Sequence, residues 1–188
     1  MFIENKSFEK ENYTISPLAK GEYDQCVFTH CDFTNADLTQ ICFNDCSFIS
    51  CNLSMARITG TSFRTVGFKD CKLLGLLFDS CNGIGISFHF ENCQMDHVSF
   101  LGCKMRNTLF KNSRLTESDF TGADITSGIF DRCDLSGAKF ENTILEKVDF
   151  RTAEHYSIHP ESNRIKAAIF SLNGIGGLLD RYAIKITN

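Results

Sequence analysis

DFTGADITSGIFDRCDLSGAKFENTILEKVDF, residues 119–150, places a large apolar side chain at every fifth position: Phe120, Ile125, Phe130, Leu135, Phe140, Leu145 and Phe150. A period of five matches neither the 3.6 of an α-helix nor the 2 of a flat strand, so neither element could gather these residues on one face. A chain that turns a corner every five residues could. The five-beat residue is called the centre below.

Counting back from Phe150 continues the beat through Leu115, Phe110, Met105, Phe100, Met95 and Phe90, where it stops. A second register, offset by two residues, holds the first half: Tyr23, Phe28, Phe33, Leu38, Phe43, Phe48, Leu53, Ile58, Phe63, Phe68, Leu73 and Phe78, extended toward the N-terminus by Phe8, Tyr13 and Leu18. The join lies in SCNGIGISF, residues 80–88, where Gly83 and Gly85 give the backbone freedom that two extra residues at a corner require.

Two residues before each centre sits a small side chain, and nine of the ten cysteines occupy this slot, Cys42 being the exception. No CxxC pair occurs, so the cysteines read as small buried hydrophobes rather than as a disulfide framework or a zinc site, and ten free thiols are expected. The histidines read as solvated: His155 and His159 in a loop before Pro160, and His30, His89 and His97 in outward slots. No catalytic, metal or cofactor-binding constellation emerges, and an enzyme is not expected. The start MFIENKSFEKENY has neither an apolar signal core nor an Arg-rich transit pattern, and no run reaches the roughly 20 apolar residues of a membrane span, so a cytoplasmic protein without membrane contact is expected.

The motifs NADLT at 35–39, CNLSM at 51–55, GADIT at 122–126 and CDLSG at 133–137 resemble the pentapeptide-repeat family, and the resemblance runs from about Phe8 to Phe150. It implies an all-β, right-handed quadrilateral β-helix of about eight coils, four five-residue sides to each coil of twenty. Centres twenty apart should then stack. One column would hold Phe8, Phe28, Phe48, Phe68, and after the two-residue step Phe90, Phe110, Phe130, Phe150 and Phe170. At the strand spacing of about 4.8 Å the rod would stand roughly 38 Å tall.

Residues 1–153 are expected to form the β-helix and 154–188 a last partial coil, a cap and a dimerisation tail. Ile175, Leu178, Leu179 and Tyr182 fall at i, i+3, i+4 and i+7, the stripe of a short helix with Asn173 as its N-cap, and Ala183 to Thr187 alternates like a strand. Pentapeptide proteins of the Qnr and MfpA type end similarly and join two rods end to end. That resemblance implies a homodimer through Ile175, Leu178, Leu179, Tyr182, Ile184 and Ile186.

The same resemblance implies a rod that mimics duplex DNA and binds type II topoisomerases, without itself binding nucleic acid. A duplex of this height would carry about 22 charges, whereas this chain nets −4. Two acidic runs are the candidate partner surface: Glu22, Asp24, Asp32, Asp37 and Asp45 in the basic-free stretch between Lys20 and Arg57, and Glu117, Asp119, Asp124, Asp131 and Asp134 toward the C-terminus. Lys104, Arg106, Lys111 and Arg114 form a basic belt between them. The alternative is a structural scaffold whose polar faces dock another protein.

Overall fold

A computed structural model describes residues 1–185 and Thr187; the predicted dimer residue Ile186 lies outside the described residues. The chain winds as a parallel solenoid whose short strands are β1 (Phe2–Glu4), β2 (Ser7–Glu9), β3 (Glu22–Asp24), β4 (Val27–Thr29), β5 (Cys42–Asn44), β6 (Ser47–Ile49), β7 (Ser62–Arg64), β8 (Val66–Lys69), β9 (Phe88–Glu91), β10 (Leu109–Lys111) and β11 (Ile129–Asp131). They form a four-stranded sheet, β1-β3-β5-β7, and a seven-stranded sheet, β2-β4-β6-β8-β9-β10-β11. Isolated parallel bridges such as Asp32↔Asn52, Asp37↔Arg57 and Asp124↔Ile144 tie the remaining sides together. Four faces result, numbered here by the centres Ile3, Phe8, Tyr13 and Leu18 that open them.

Each five-residue side is extended through its centre and then turns, because the second residue after the centre adopts left-handed φ. Gln25, His30, Asn35, Gln40 and Asp45 do so in succession, at φ values of 47° to 59°. Asn, Asp and Gly tolerate this region; a β-branched residue does not. Thr65 nevertheless takes φ 53° at its corner. Thr65→Asn is therefore expected to stabilise the fold by about 1 kcal/mol, read as a rise in melting temperature. A lower melting temperature would show that the threonine makes contacts that outweigh its backbone strain.

The phenylalanine column stacks from Phe8 to Phe170, each ring nearly parallel to the next, with centroids 4.7 to 5.3 Å apart. A second aromatic column accompanies it but changes face midway. Tyr23, Phe43 and Phe63 stack on face one, then Phe78, Phe100, Phe120 and Phe140 on face four. Cys31, Cys51, Cys71, Cys93 and Cys133 line up behind face three, all ten thiols are free, and burial pushes the Cys93 thiol up to about 11.

The switch coincides with the register step. Pairing runs Phe48↔Phe68, then Phe68↔Phe90, then Phe90↔Phe110, so one coil is two residues longer than its neighbours. The extra residues belong to an exposed corner at Gly83–Gly85, which leaves face one without a centre between Phe63 and Met105. Phe88 fills the gap. It stands in the slot otherwise given to small residues, yet it is buried, with its ring 4.9 Å from Phe78, 5.8 Å from Phe63 and 5.3 Å from Phe90.

At the C-terminal end Tyr156 and Ile158 are buried where the beat would have put His155 and Pro160. The cap corrects the expected helix and strand. Ile175–Leu178 and Asp180–Tyr182 are single 3-10 turns, Asn173 makes no capping bond, and Ala183 ends the second turn at φ 51°. The cause is Gly174, Gly176 and Gly177, which disfavour a helix, while Gly174 and Gly177 admit the chain against Tyr156. A Cβ at Gly177 would run into the Tyr156 carbonyl, and Ile158 N–H donates to the Gly177 carbonyl at 2.8 Å. Ala183 to Lys185 and Thr187 form no strand, and no helix among the described residues is long and apolar enough to cross a membrane.

Candidate interaction surface

The residue before each centre faces outward, and where it is Asp or Asn it caps its own corner. The Asp32 carboxylate accepts from Thr34 N–H at 2.9 Å and from the Thr34 hydroxyl at 2.6 Å. Asp37 with Thr39, Asn52 with Ser54, Asp124 with Thr126 and Asp134 with Ser136 repeat the arrangement, and Asp119 accepts from Thr121 N–H at 2.8 Å. These are Asx turns, which satisfy backbone donors that a tight corner strands. Five of the ten predicted acids are thus corner posts.

Several are also neutralised. Asp37 holds Lys20 at 2.9 Å and Arg57 at 3.1 Å, and the Lys20 and Thr39 hydrogen bonds keep its carboxyl far below the usual carboxylate range. Burial raises the Asp124 carboxyl, but hydrogen bonds from Arg106 and Thr126 outweigh it and the net shift is downward. Asp134 follows the same pattern with Ser136 and His155, whose imidazole is raised in turn by its bond to Asp134. Asp131 pairs with Arg132, and His97 Nδ1 lies 3.6 Å from the Glu117 carboxylate.

The ten acids occupy all four faces rather than one strip. Glu22, Asp24 and Asp124 lie on face one, Asp131 on face two, Asp32 and Asp134 on face three, Asp37 and Asp119 on face four, with Asp45 and Glu117 at corners. Along face four Asp37 and Asp119 are separated by Arg57, Leu77 and Ser99, and Lys139 follows.

One group does come together. In the four-stranded sheet Glu4 lies beside Asp24, and Asn44 and Arg64 follow in the same ladder; Glu22 is flanked by Phe2 and Cys42. With Asp45 at the adjoining corner, Glu4, Glu22 and Asp24 make an acidic area whose strand ladder carries no Lys or Arg until Arg64, with Lys6 past the first corner as the other bordering cation. Asn44 Nδ2 donates to Glu22 at 2.6 Å, and no cation among the described residues pairs with any of the four acids. Glu4 escapes a reading confined to Lys20–Arg57, although its spacing of twenty from Asp24 is the signal that places it there.

The predicted dimer residues divide. Leu178 packs against the core and Leu179 is half-buried, whereas Ile175, Tyr182 and Ile184 are 42%, 50% and 57% exposed. Leu172, at 84%, and Ile169, at 45%, join them on the outer surface of this end. They were missed because they precede the stripe that suggested a helix.

A trypsin-treated variant of QnrB1, described as a plasmid-mediated fluoroquinolone resistance protein, superposes with a TM-score of 0.72 at 17% identity, covering 100% of this chain and 92% of that one. A second trypsin-treated QnrB1 variant gives 0.64 at 16% identity over 100% of both chains. At these identities the likeness concerns the fold. No curated protein matches the chain in sequence. The family model described as the pentapeptide repeat region matches residues 22–88 and 61–140, and that of pentapeptide repeats in eight copies matches 133–154. With most of its length so matched, and with a corner at every fifth residue, this chain belongs to the pentapeptide-repeat family.

Proposed function

We propose that the protein is a non-enzymatic cytoplasmic rod that binds a type II topoisomerase and protects it from quinolones, with the acidic area of face one as its contact. The observation that carries this reading is that Glu4, Glu22, Asp24 and Asp45 cluster without a basic partner while the other predicted acids cap corners or lie beside Lys, Arg or His. The fold shared with a fluoroquinolone resistance protein supports it. Residues 1–153 serve as the rod and 154–188 as the cap, where Ile175, Tyr182 and Ile184 join two copies and Leu178 seals the core.

The test is DNA supercoiling by gyrase in the presence of a quinolone, titrated with this protein. Wild type is expected to restore supercoiling, and Glu22→Gln with Asp45→Asn to shift the titration at least tenfold, since neither residue caps an Asx turn. Absence of both rescue and inhibition at micromolar dose rules the reading out. A second reading, a scaffold for a different protein, is favoured by the scatter of the other acids over four faces. Capture of a partner set lacking topoisomerase would select it.

A further inference from the structure

The two ends of the rod differ. At the C-terminal end the cap crosses the last coil, with Leu178 and Tyr156 against the core. At the N-terminal end, β1 terminates the four-stranded sheet and β2 the seven-stranded one. These neighbouring edge strands meet at the corner Asn5–Lys6. Beneath them the first-level centres Ile3, Phe8, Tyr13 and Leu18 line an open hollow of about 360 Å³, and Phe2 beside it is 59% exposed. Tyr13 and Leu18 are buried at this end and Ile3 and Phe8 only partly so, but no strand among the described residues pairs with the outer edges of β1 and β2, and exposed strand edges are templates for further pairing.

We propose that the rim is a self-association surface at which a second copy docks N-terminus to N-terminus, about a two-fold axis through the Asn5–Lys6 corner. Each copy's β1 then runs antiparallel to the other's β2. Head-to-tail stacking is blocked by the cap, so this arrangement is the one that extends both sheets at once. Its register is self-complementary. Phe2 faces Glu9 of the second copy, Ile3 faces Phe8, and Glu4 faces Ser7, so apolar centres meet and no like charges stand opposite each other.

The backbone polarity agrees. Val27 N–H, just before its centre, points back to the Lys6 carbonyl of the preceding coil, and Lys10 N–H donates forward to the Thr29 carbonyl. Ser7 and Glu9 are the register partners of Val27 and Thr29, so their N–H and C=O groups point out of the rim. Phe2 and Glu4 stand likewise in β1. Facing residues of this kind exchange paired bonds, giving roughly eight across the two strand pairs. The end of a rod about 20 Å across covers roughly 400 Å² per copy, half of a standard interface, so a weak, concentration-dependent contact is expected.

Sedimentation velocity of the full chain over about 5 to 500 μM tests this, and Ile184→Asp serves as the background that disables the cap contact. In that background the mass is expected to rise from monomer toward dimer. Ser7→Pro, which removes an N–H directed away from β4, is expected to weaken this association at least tenfold while circular dichroism and melting temperature stay put. Hydrogen exchange provides a second reading: the Ser7 and Glu9 amides should become protected at high concentration. An Ile184→Asp protein that stays monomeric at the highest concentration overturns the proposal, as does association indifferent to Ser7→Pro. Loss of association in Ile184→Asp alone would implicate the cap and not the rim.

Discussion

Replacing Phe110 with alanine is expected to lower the unfolding free energy by about 4 kcal/mol, a large part of what a domain of this size possesses. The ring is fully buried. It stacks on Phe90 at 5.1 Å and Phe130 at 4.7 Å, and meets Phe100 and Phe120 edge-on at 5.9 and 6.1 Å. Truncation forfeits the transfer free energy and leaves a void that cannot close, because β9, β10 and β11 are held at strand spacing by their own hydrogen bonds. Phe8 provides the contrast: it ends the column, stacks on Phe28 alone and is only partly buried, so Phe8→Ala should cost about 1–2 kcal/mol. Urea titrations with an unchanged slope measure both losses. Equal costs at the two positions would mean that the column does not set stability in proportion to burial.

The architecture was legible because a solenoid repeats its instructions. Every fifth residue is inward on each side, every twentieth lies on the same face, and the nine-phenylalanine column follows from counting alone. What escaped counting lies where the repeat is broken. Phe88 occupies a small-residue slot and is out of phase in sequence, yet a missing centre above Phe63 leaves room for its ring. Tyr156 and Ile158 replace their neighbours His155 and Pro160 for the same reason: the core is filled by whichever nearby side chain can reach it. In the cap, a stripe at helical spacing was overruled by glycines, of which Gly174 and Gly177 pack against Tyr156, a tertiary fact.

The acids show a different limit. Composition marks Asp32, Asp37, Asp119, Asp124 and Asp134 as surface charge, whereas the triplets DFT, DLT, DIT and DLS make them acceptors for their own corners. That role was readable in the recurring Asp-x-Thr/Ser pattern once a tight turn was known to follow each centre. The pairing of Asp37 with Lys20 and Arg57 was not, because it depends on which faces those side chains share.

Asp124→Ala is expected to cost about 2–3 kcal/mol at pH 7, more than any of the other predicted partner-binding acids. Only 5% of Asp124 is exposed, and its carboxylate accepts from Arg106 Nε at 2.7 Å, Thr126 N–H at 3.1 Å and the Thr126 hydroxyl at 2.6 Å. Arg106 is 66% exposed and recovers water when the partner is lost, which keeps the cost below that of breaking a fully buried pair. Asp124→Asn retains an acceptor for Thr126 and should lose only about 1 kcal/mol. The pH dependence follows from the lowered carboxyl. As pH falls through about 4, the unfolded chain takes up the proton first, so stability present above that point drains away as pH drops toward the folded value. The gap in melting temperature between wild type and Asp124→Ala should therefore narrow between pH 5 and pH 2, and a gap that stays constant would exclude the ionised carboxylate as its source. The acids therefore differ in what their neutralisation would report. Neutralising Asp124 or Asp134 weakens a corner and would mimic loss of partner binding through loss of fold, whereas Glu22 and Asp45 cap no Asx turn, so a deficit on their neutralisation would belong to the surface itself.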